Sequence, residues 1–237
     1  MTYFFISDLH LNIHEASITQ LFYRFTATLQ PKDHLYILGD FFNAWVGDDA
    51  INDVDRDIQK HLRSLVDKNI QIYMLYGNRD FLMKDGFFKT TGVTFLKDET
   101  VIELNGIKTL LMHGDSLCSD DKKYLKYKRV VRNPLVQYCF LALPKSLRYR
   151  IAEKLRQNSQ KRFDRTKMLI DVNQQSVIET MKKHQVYQLI HGHTHLPGTH
   201  QFEIDRQPAT RIVLGAWHDK GSVLKVDGYG DELVEFA

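Results

Sequence analysis

The sequence predicts an α/β protein interrupted by one helical insertion, and two observations support this prediction. Short runs of β-branched and aromatic residues alternate with segments in which apolar residues recur every three or four positions, as in strands and amphipathic helices. This alternation stops after Cys118 and resumes only beyond Lys167. We therefore expect a core formed by residues 1–118 and 168–237, with residues 119–167 as a helical insertion.

The predicted strands are short and largely apolar, as is typical of strands buried in an α/β core. In chain order they are Tyr3–Ile6, Leu35–Leu38, Ile70–Leu75, Thr109–Met112, Gln188–Ile190, Ile212–Leu214, Val223–Val226 and Leu233–Phe236. Two segments between the first three strands have helical spacing, with apolar positions at Ile18, Leu21, Phe22, Phe25 and Leu29, then at Ile58, Leu62, Leu65 and Val66. Each is expected to form a helix that buries one face.

The insertion differs from the rest of the chain in its charge. It contains 15 Lys and Arg against 4 Asp and Glu, a formal charge of +11, whereas the remainder carries 17 against 25, or −8. Pro134 and Pro144 interrupt its helical pattern. The near-neutral net charge of +3 is therefore the sum of a strongly basic segment and an acidic core.

The composition excludes several classes of protein. With 237 residues, 43% hydrophobic and 26% charged, and only 5 prolines, the chain is an ordinary globular protein rather than a disordered or collagenous one. Two cysteines, Cys118 and Cys139, are too few for a disulfide framework, so we expect a reducing compartment. Residues 1–8 lack the basic segment of a signal peptide, and the apolar stretch Val136–Pro144 is far shorter than the roughly 20 residues that cross a bilayer. We expect neither export nor a membrane span.

Five predicted strands are followed by the same kinds of polar residue. These segments are Asp8-Leu9-His10, Gly39-Asp40, Gly77-Asn78-Arg79-Asp80, His113-Gly114-Asp115 and His191-Gly192-His193-Thr194-His195. Because ligands of open α/β sheets bind at the carboxyl ends of the strands, these side chains can converge on one site. One such segment alone is usually a cap or a turn, but five of them at successive strand ends make coincidence improbable.

These segments offer carboxylate and amide oxygens and imidazole nitrogens, which suit Mn²⁺, Fe²⁺ or Zn²⁺ better than a structural zinc or an iron–sulfur cluster. The seven candidate ligands are Asp8, His10, Asp40, Asn78, His113, His193 and His195. Seven ligands are enough for two ions, which lie about 3.5–4 Å apart in such sites, share a bridging carboxylate and clamp a phosphoryl group. Asp40 is the expected bridge. His191 and the remaining histidines lack ligand spacing, and Cys118 is expected to be a packed thiol.

The ordered set of Asp8-x-His10, Gly39-Asp40, Gly77-Asn78, His113 and Gly192-His193-x-His195 resembles the calcineurin-like metallophosphoesterases. Further motifs, spread over nearly the whole chain, resemble the branch of that family that hydrolyses an acylated UDP-sugar in lipid A biosynthesis. They are Ser7–Leu11, Trp45–Asp49, Tyr76–Phe81, Asp120-Asp121, Asp171–Asn173 and Ile190–His195. The resemblance implies a sandwich of α-β-β-α layers with the helical insertion as a lid.

The same resemblance implies a site of two Mn²⁺ ions, with Fe²⁺ or Zn²⁺ as alternatives. It assigns one ion to Asp8, His10, His195 and bridging Asp40, and the other to Asp40, Asn78, His113 and His193. It gives catalytic roles to Asp40, Arg79 and His113. The substrate contacts that it implies are Asn78, Arg79, Asp121, Ser159, Arg165 and His193.

Arg79 stands where many members of the family carry a histidine that assists an alkoxide leaving group. Arginine cannot act as a general acid at neutral pH. Cleavage of a diphosphate, however, expels a phosphate monoester whose second pKa is about 6, so a fixed cation that holds phosphate oxygens is more useful there. A surface salt bridge is the alternative role for Arg79.

The chain departs from the family pattern at two places. Asn43 stands where relatives often carry an acidic residue, which puts its local contacts in doubt. The chain is also one residue shorter between Ser159 and Asp171, so the family's lysine falls near residues 165–167. We choose Arg165 because it keeps the register and a positive charge.

The expected enzyme is a monomer that binds no nucleic acid and lies peripherally on the cytoplasmic face of the inner membrane. Its insertion would cover the acyl chains and face an anionic bilayer; an ordinary helical hairpin with a solvated basic face is the alternative. A related dinuclear-metal phosphoesterase acting on another nucleotide diphosphate or a phosphodiester is the alternative activity. A nucleic-acid-binding module with a vestigial metal site fits less well, because the ligand set is intact and no RNA-binding aromatic motif is present.

Overall fold

The computed structural model describes residues 1–166 and 171–237, and it describes side chains for residues 1–157 and 171–237. The strands within these residues are β1 (Tyr3–Ile6), β2 (His34–Leu38), β3 (Gln71–Leu75), β4 (Thr94–Phe95), β5 (Thr100–Leu104), β6 (Ile107–Leu111), β7 (Gln188–His191), β8 (Gly198–Ile204), β9 (Gln207–Val213), β10 (Gly221–Asp227) and β11 (Gly230–Phe236). The helices are α1 (Ala16–Thr26), α2 (Asp53–Asp67), α3 (Asp85–Thr91), α4 (Lys122–Val131), α5 (Pro134–Leu141), α6 (Lys145–Thr166) and α7 (Gln174–His184).

The strands form two sheets, one in the order β11-β10-β1-β2-β3-β4 and the other in the order β5-β6-β7-β9-β8. Strands β1 to β4 run parallel, and so do β6, β7 and β9. Antiparallel strands complete each sheet. The parallel strands matter for function, because their carboxyl ends share one edge of each sheet.

Three apolar clusters hold the layers together. The first lies between the sheets, where Phe5 and Leu75 of one sheet share a buried cluster with Leu111 and Ile190 of the other. A second joins the outer face of the six-stranded sheet to α1, α2 and α3. The third joins the outer face of the five-stranded sheet to α7. The clusters confirm the four-layer α/β sandwich.

The observed strands overlap all of the predicted ones, with ends that differ by up to five residues. The sequence pattern missed β4, β5 and β8. Strand β8 is an edge strand with mostly exposed side chains, so apolar alternation does not mark it. Its residues are extended because they pair with β9 along its whole length.

In its described residues the insertion consists of three helices joined by short turns. Helices α4, α5 and α6 follow one another, and Asn133 caps α5 just before Pro134, which occupies the first turn. Pro144 directly precedes α6. The predicted boundary at Lys167 falls outside the described residues.

Candidate metal centre at the strand ends

The five polar segments singled out in the sequence lie at the carboxyl ends of β1, β2, β3, β6 and β7. Backbone hydrogen bonds tie their loops together: the N–H groups of Asp8 and His10 donate to the carbonyl oxygens of Gly39 and Asp40, respectively. The loops of the second sheet are joined in the same way. Side chains from both sheets therefore meet at one edge of the sandwich.

One group of possible ligands consists of Asp8, His10 and His195, whose donor atoms lie within 4.8 Å of one another. Nε2 of His195 lies 3.5 Å from Nε2 of His10 and 3.4 Å from Oδ1 of Asp8. Two imidazole nitrogens and a carboxylate oxygen thus face a common point.

A second group consists of Asp8, Asp40 and His113. Nε2 of His113 lies 3.8 Å from Oδ1 of Asp40 and 3.1 Å from Oδ1 of Asn78. The other oxygen of Asp40, Oδ2, lies 3.9 Å from Nδ1 of His10. The Asp40 carboxylate therefore lies between His10 of the first group and His113 of the second, where a bridging ligand would stand.

His193 contributes to this arrangement in two ways. Its backbone N–H donates to Oδ2 of Asp8 at 2.8 Å, and its ring centroid lies 5.0 Å from that of His113. The structure thus brings all seven predicted ligands to one edge, although Asp8 rather than Asp40 is common to the two ligand groups found among the described residues.

Two further observations show that these residues fit a cation site. Five of the seven candidate ligands have a left-handed backbone, with φ of 57° at Asp8, 53° at His10, 51° at Asp40, 69° at His193 and 58° at His195. Such strain in residues other than glycine persists where the surroundings enforce it, often at functional sites. In addition, Oδ1 of Asp8 and Nδ1 of His10 are buried without a hydrogen-bond partner, which is unusual for buried polar atoms.

Burial and neighbouring charges shift the pKa values of the candidate ligands in opposite directions. Burial tends to raise the pKa of Asp8, but the nearby imidazoles of His195, His113 and His10 hold it well below its usual value. Burial tends to lower the pKa of His113, yet the carboxylates of Asp40 and Asp8 raise it to about 9. For His193, burial and the charge of His113 lower the pKa to about 3. Burial raises the pKa of Asp40.

Gly77 allows the loops after β2 and β3 to touch. A Cβ atom at Gly77 would overlap the Asp40 side chain and backbone, so no larger residue fits beside the expected bridge. Asp80 fixes the same contact, because Oδ1 accepts from the N–H of Gly77 at 2.7 Å and Oδ2 accepts from the N–H of Phe41 at 2.8 Å. Asp80 is therefore a positioning residue. It belongs to one of the five polar segments, but the sequence analysis gave it no role.

Arg79 lies at the edge of the ligand set. Its Nε is 3.3 Å from Oδ2 of Asp40, and its backbone N–H donates to Oδ1 of Asp40 at 2.9 Å. Its Nη1 donates to Oδ1 of Asn43 at 2.9 Å. The departure at Asn43 therefore supplies a neutral acceptor that orients the guanidinium without cancelling its charge.

The predicted substrate contacts of the insertion are only partly described. Asp121 lies at the N-terminus of α4 and accepts from the N–H of Tyr124 at 2.9 Å. Ser159 and Arg165 belong to α6, but their side chains lie outside the described residues. Their contacts remain predictions.

Sequence reasoning missed a row of residues that joins α4 to the site. The buried Asp115 accepts hydrogen bonds from the Tyr124 hydroxyl and, at 2.9 Å, from Nζ of Lys128. Arg132 donates to the carbonyl oxygen of Gly77 at 2.7 Å. The four-residue spacing from Tyr124 to Lys128 to Arg132 places them on one helix face, a signal that could have revealed this row.

Two histidines outside the ligand set, His61 and His184, make ordinary hydrogen bonds. His61 contacts Thr26 at 2.8 Å, and His184 contacts Glu99 at 2.8 Å. Burial raises the pKa of Cys118 to about 12, which leaves it an unreactive thiol.

No helix in the described part of the chain is both long enough and apolar enough to cross a bilayer.

The chain is similar in sequence to a known protein family and to named proteins over nearly its whole length. Residues 1–197 match the family model of calcineurin-like phosphoesterase. A relative from Enterobacter sp. (strain 638) named UDP-2,3-diacylglucosamine hydrolase is 47% identical, over 100% of this chain and 99% of that protein. A relative of the same name from Edwardsiella ictaluri (strain 93-146) is 48% identical, over 99% of this chain and 92% of that protein. A solved archaeal phosphodiesterase is 15% identical with a TM-score of 0.48, covering 99% of both chains.

Proposed function

Because the chain belongs to the calcineurin-like phosphoesterase family, we propose that it hydrolyses the diphosphate bond of UDP-2,3-diacylglucosamine to UMP and 2,3-diacylglucosamine 1-phosphate, a step of lipid A biosynthesis. The observation that carries the proposal is Arg79, held 3.3 Å from Asp40 at the edge of the ligand set. An arginine at this position suits a diphosphate better than a simple ester. The names of the full-length relatives support the same substrate.

We propose that the site holds two Mn²⁺ ions. Asp8, His10, His195 and Asp40 would hold the first, and Asp40, Asn78, His113 and His193 the second. When bound, such ions supply Lewis acidity to phosphoryl oxygens and a nucleophile derived from water at neutral pH. Fe²⁺ and Zn²⁺ share these donor preferences and belong in the same assay.

The protein's own groups would orient the substrate and stabilise charge. The Arg79 guanidinium offers planar N–H donors to the phosphate oxygens, and Asn43 keeps it in place through the 2.9 Å hydrogen bond. The leaving phosphate monoester needs no proton, because its second pKa is about 6. His113 is held through Nδ1 at 2.9 Å from the carbonyl oxygen of Leu38, which leaves Nε2 facing Asp40 and Asn78.

We propose that residues 119–167 form a lid for the acyl chains and rest on an anionic membrane surface, as expected of a peripheral protein at the cytoplasmic face of the inner membrane. Large apolar side chains of the insertion are exposed, including Val130, Leu135 and Tyr138. The same segment has a formal charge of +11, and each cation near an anionic bilayer contributes roughly 1 kcal/mol.

The reaction is tested by mass spectrometry of the products formed from UDP-2,3-diacylglucosamine in water enriched in heavy oxygen. We expect turnover that disappears with a chelator and returns with Mn²⁺, and one product carrying the heavy oxygen, which identifies the attacked phosphorus. Simple nucleotide diphosphates and phosphodiesters are assayed in parallel. Faster turnover of one of these would refute the proposed substrate and favour the related phosphoesterase.

The membrane contact is tested by sedimentation with vesicles. We expect binding to vesicles with anionic lipid and little binding to neutral ones, with a loss of binding at high salt. A protein that binds neither kind of vesicle would contradict the membrane proposal without affecting the proposed reaction.

A further inference from the structure

The insertion is attached to the core mainly by polar contacts. Within residues 119–157, whose side chains are described, a single residue is buried, and it is Arg148, at 2% exposure. Burying an arginine is costly unless its charge and its donors are paired. The partners of Arg148 therefore reveal how the insertion is held.

Arg148 lies in the first turn of α6 and binds a single loop of the core. Its Nη1 donates to the carbonyl oxygen of Val46 at 2.7 Å and to Oδ1 of Asp49 at 2.8 Å, and its Nη2 donates to Oδ2 of Asp49. The next residue, Tyr149, donates its hydroxyl to the carbonyl oxygen of Ala50. Two successive residues of α6 thus donate hydrogen bonds to the loop of residues 46–50.

Gly47 makes this close approach possible. Its φ of +124° lies outside the range that most residues adopt, and a Cβ atom there would lie 2.6 Å from Nη1 of Arg148 and 2.8 Å from Cδ2 of Leu141. A side chain at position 47 would push both the arginine and α5 away. This gives a physical role to the Trp45–Asp49 motif, which the metal site leaves unused.

The same loop also holds Arg79. The backbone N–H of Trp45 donates to the carbonyl oxygen of Arg79 at 3.0 Å, and Asn43 accepts from the Arg79 guanidinium at 2.9 Å. One loop therefore contacts the lid helix through Arg148 on one side and the phosphate-binding arginine on the other.

We infer that Arg148 is a positioning residue that fixes α6 relative to Arg79 and thereby makes the enzyme selective for substrates that reach both the strand-end site and the insertion. The inference rests on the proposed function for the identity of such a substrate. A small phosphodiester that occupies only the strand-end site would not depend on Arg148.

The test compares Arg148→Met and Asp49→Asn with the wild type on two substrates, UDP-2,3-diacylglucosamine and bis(4-nitrophenyl) phosphate. We expect kcat/KM for the acylated substrate to fall roughly tenfold to a hundredfold, mainly through a higher KM, with the small substrate unaffected. The double variant is expected to lose no more than Arg148→Met alone, because the two residues act as one unit. Arg24→Met, which removes an exposed arginine of α1 outside the insertion, is the matched control and should keep both activities.

An equal loss on both substrates, or no loss on either, would overturn the inference. If Arg148→Met fails to fold, Asp49→Asn decides, because it alters the partly exposed partner. A wild type that does not turn over the acylated substrate would instead refute the proposed function. In that case hydrogen exchange of residues 122–157 decides on the anchor: faster exchange in Arg148→Met supports it, and unchanged exchange overturns it.

Discussion

The strand-end site and the insertion differ in how firmly the fold defines them. At the site, the loops of each sheet are joined to one another by backbone hydrogen bonds, and most of the candidate ligands are buried. In the insertion, Leu135 and Tyr138 are 70% and 73% exposed, and the described contacts with the core are mainly polar. The difference indicates a rigid site beside a segment that can adapt at low cost.

The strain at the site fits this contrast. Left-handed φ values at Asp8, Asp40 and His195 are unfavourable for the isolated residues, so the surrounding fold must enforce them. Among the described residues of the insertion, none has a left-handed φ. Gly47, which does have one, belongs to the core loop that contacts α5 and α6. Function at the site therefore depends on fixed geometry, and function in the insertion depends on where it is anchored.

The largest expected effect is that of Asp40→Asn. Asp40 lies between His10 and His113, so its loss should disable both halves of the metal centre. A loss of several kcal/mol of transition-state stabilisation lowers kcat/KM at least about 10³-fold. Bound metal is measured by elemental analysis together with turnover. Asp57→Asn, which alters an exposed residue of α2, should change neither, and an Asp40→Asn protein with full metal content and activity would contradict the assignment.

Arg79→Ala should have the next largest effect. Losing this cation should lower kcat/KM on the UDP substrate about 10²- to 10³-fold without changing the amount of bound metal. Arg79→Lys keeps the charge but lacks the planar fork of donors, so it should recover only part of the activity. Full catalytic efficiency in Arg79→Ala would remove Arg79 from the proposed mechanism.

The affinity for metal should depend on pH in a defined direction. The carboxylates around His113 outweigh its burial and raise its pKa to about 9, so protons compete with the metal for this imidazole at lower pH. From pH 6 to 9 the affinity of the metal-free protein for Mn²⁺ should rise about tenfold per unit. Isothermal titration calorimetry at several pH values measures this slope. His184→Gln, remote from the site, should keep the slope, whereas an affinity independent of pH would show that His113 does not release a proton on binding.

The candidate site was largely predictable from the sequence because its ligands are local to strand ends. Asp8, Asp40 and His113 each lie two residues beyond the end of a strand, so the parallel arrangement of the strands brings them together without further information. Gly77 was visible in the same way, because close packing of loops requires glycine.

The contacts of the insertion were not predictable, because they join residues far apart in sequence. Asp49 and Arg148 are separated by 99 residues. The Trp45–Asp49 motif marked Asp49 in the sequence, but nothing local pairs it with Arg148. Strand β8 was missed for a similar reason, since its extended form depends on pairing with β9 rather than on its own apolar pattern. Long-range pairing thus limits what sequence patterns reveal here.

The smallest expected effect is that of Leu135→Ala on stability. Leu135 is 70% exposed in α5, so its truncation should change the free energy of unfolding by no more than about 0.5 kcal/mol. Leu21→Ala is the matched control: Leu21 is 2% exposed in the cluster beneath the six-stranded sheet, and its loss should cost about 2–5 kcal/mol. Urea unfolding measures both changes. Similar losses in the two variants would mean that α5 packs like the core, and the contrast between a rigid site and an adaptable insertion would then be wrong. A small change in stability combined with weaker binding to anionic vesicles would instead support a surface kept apolar for contact with lipid.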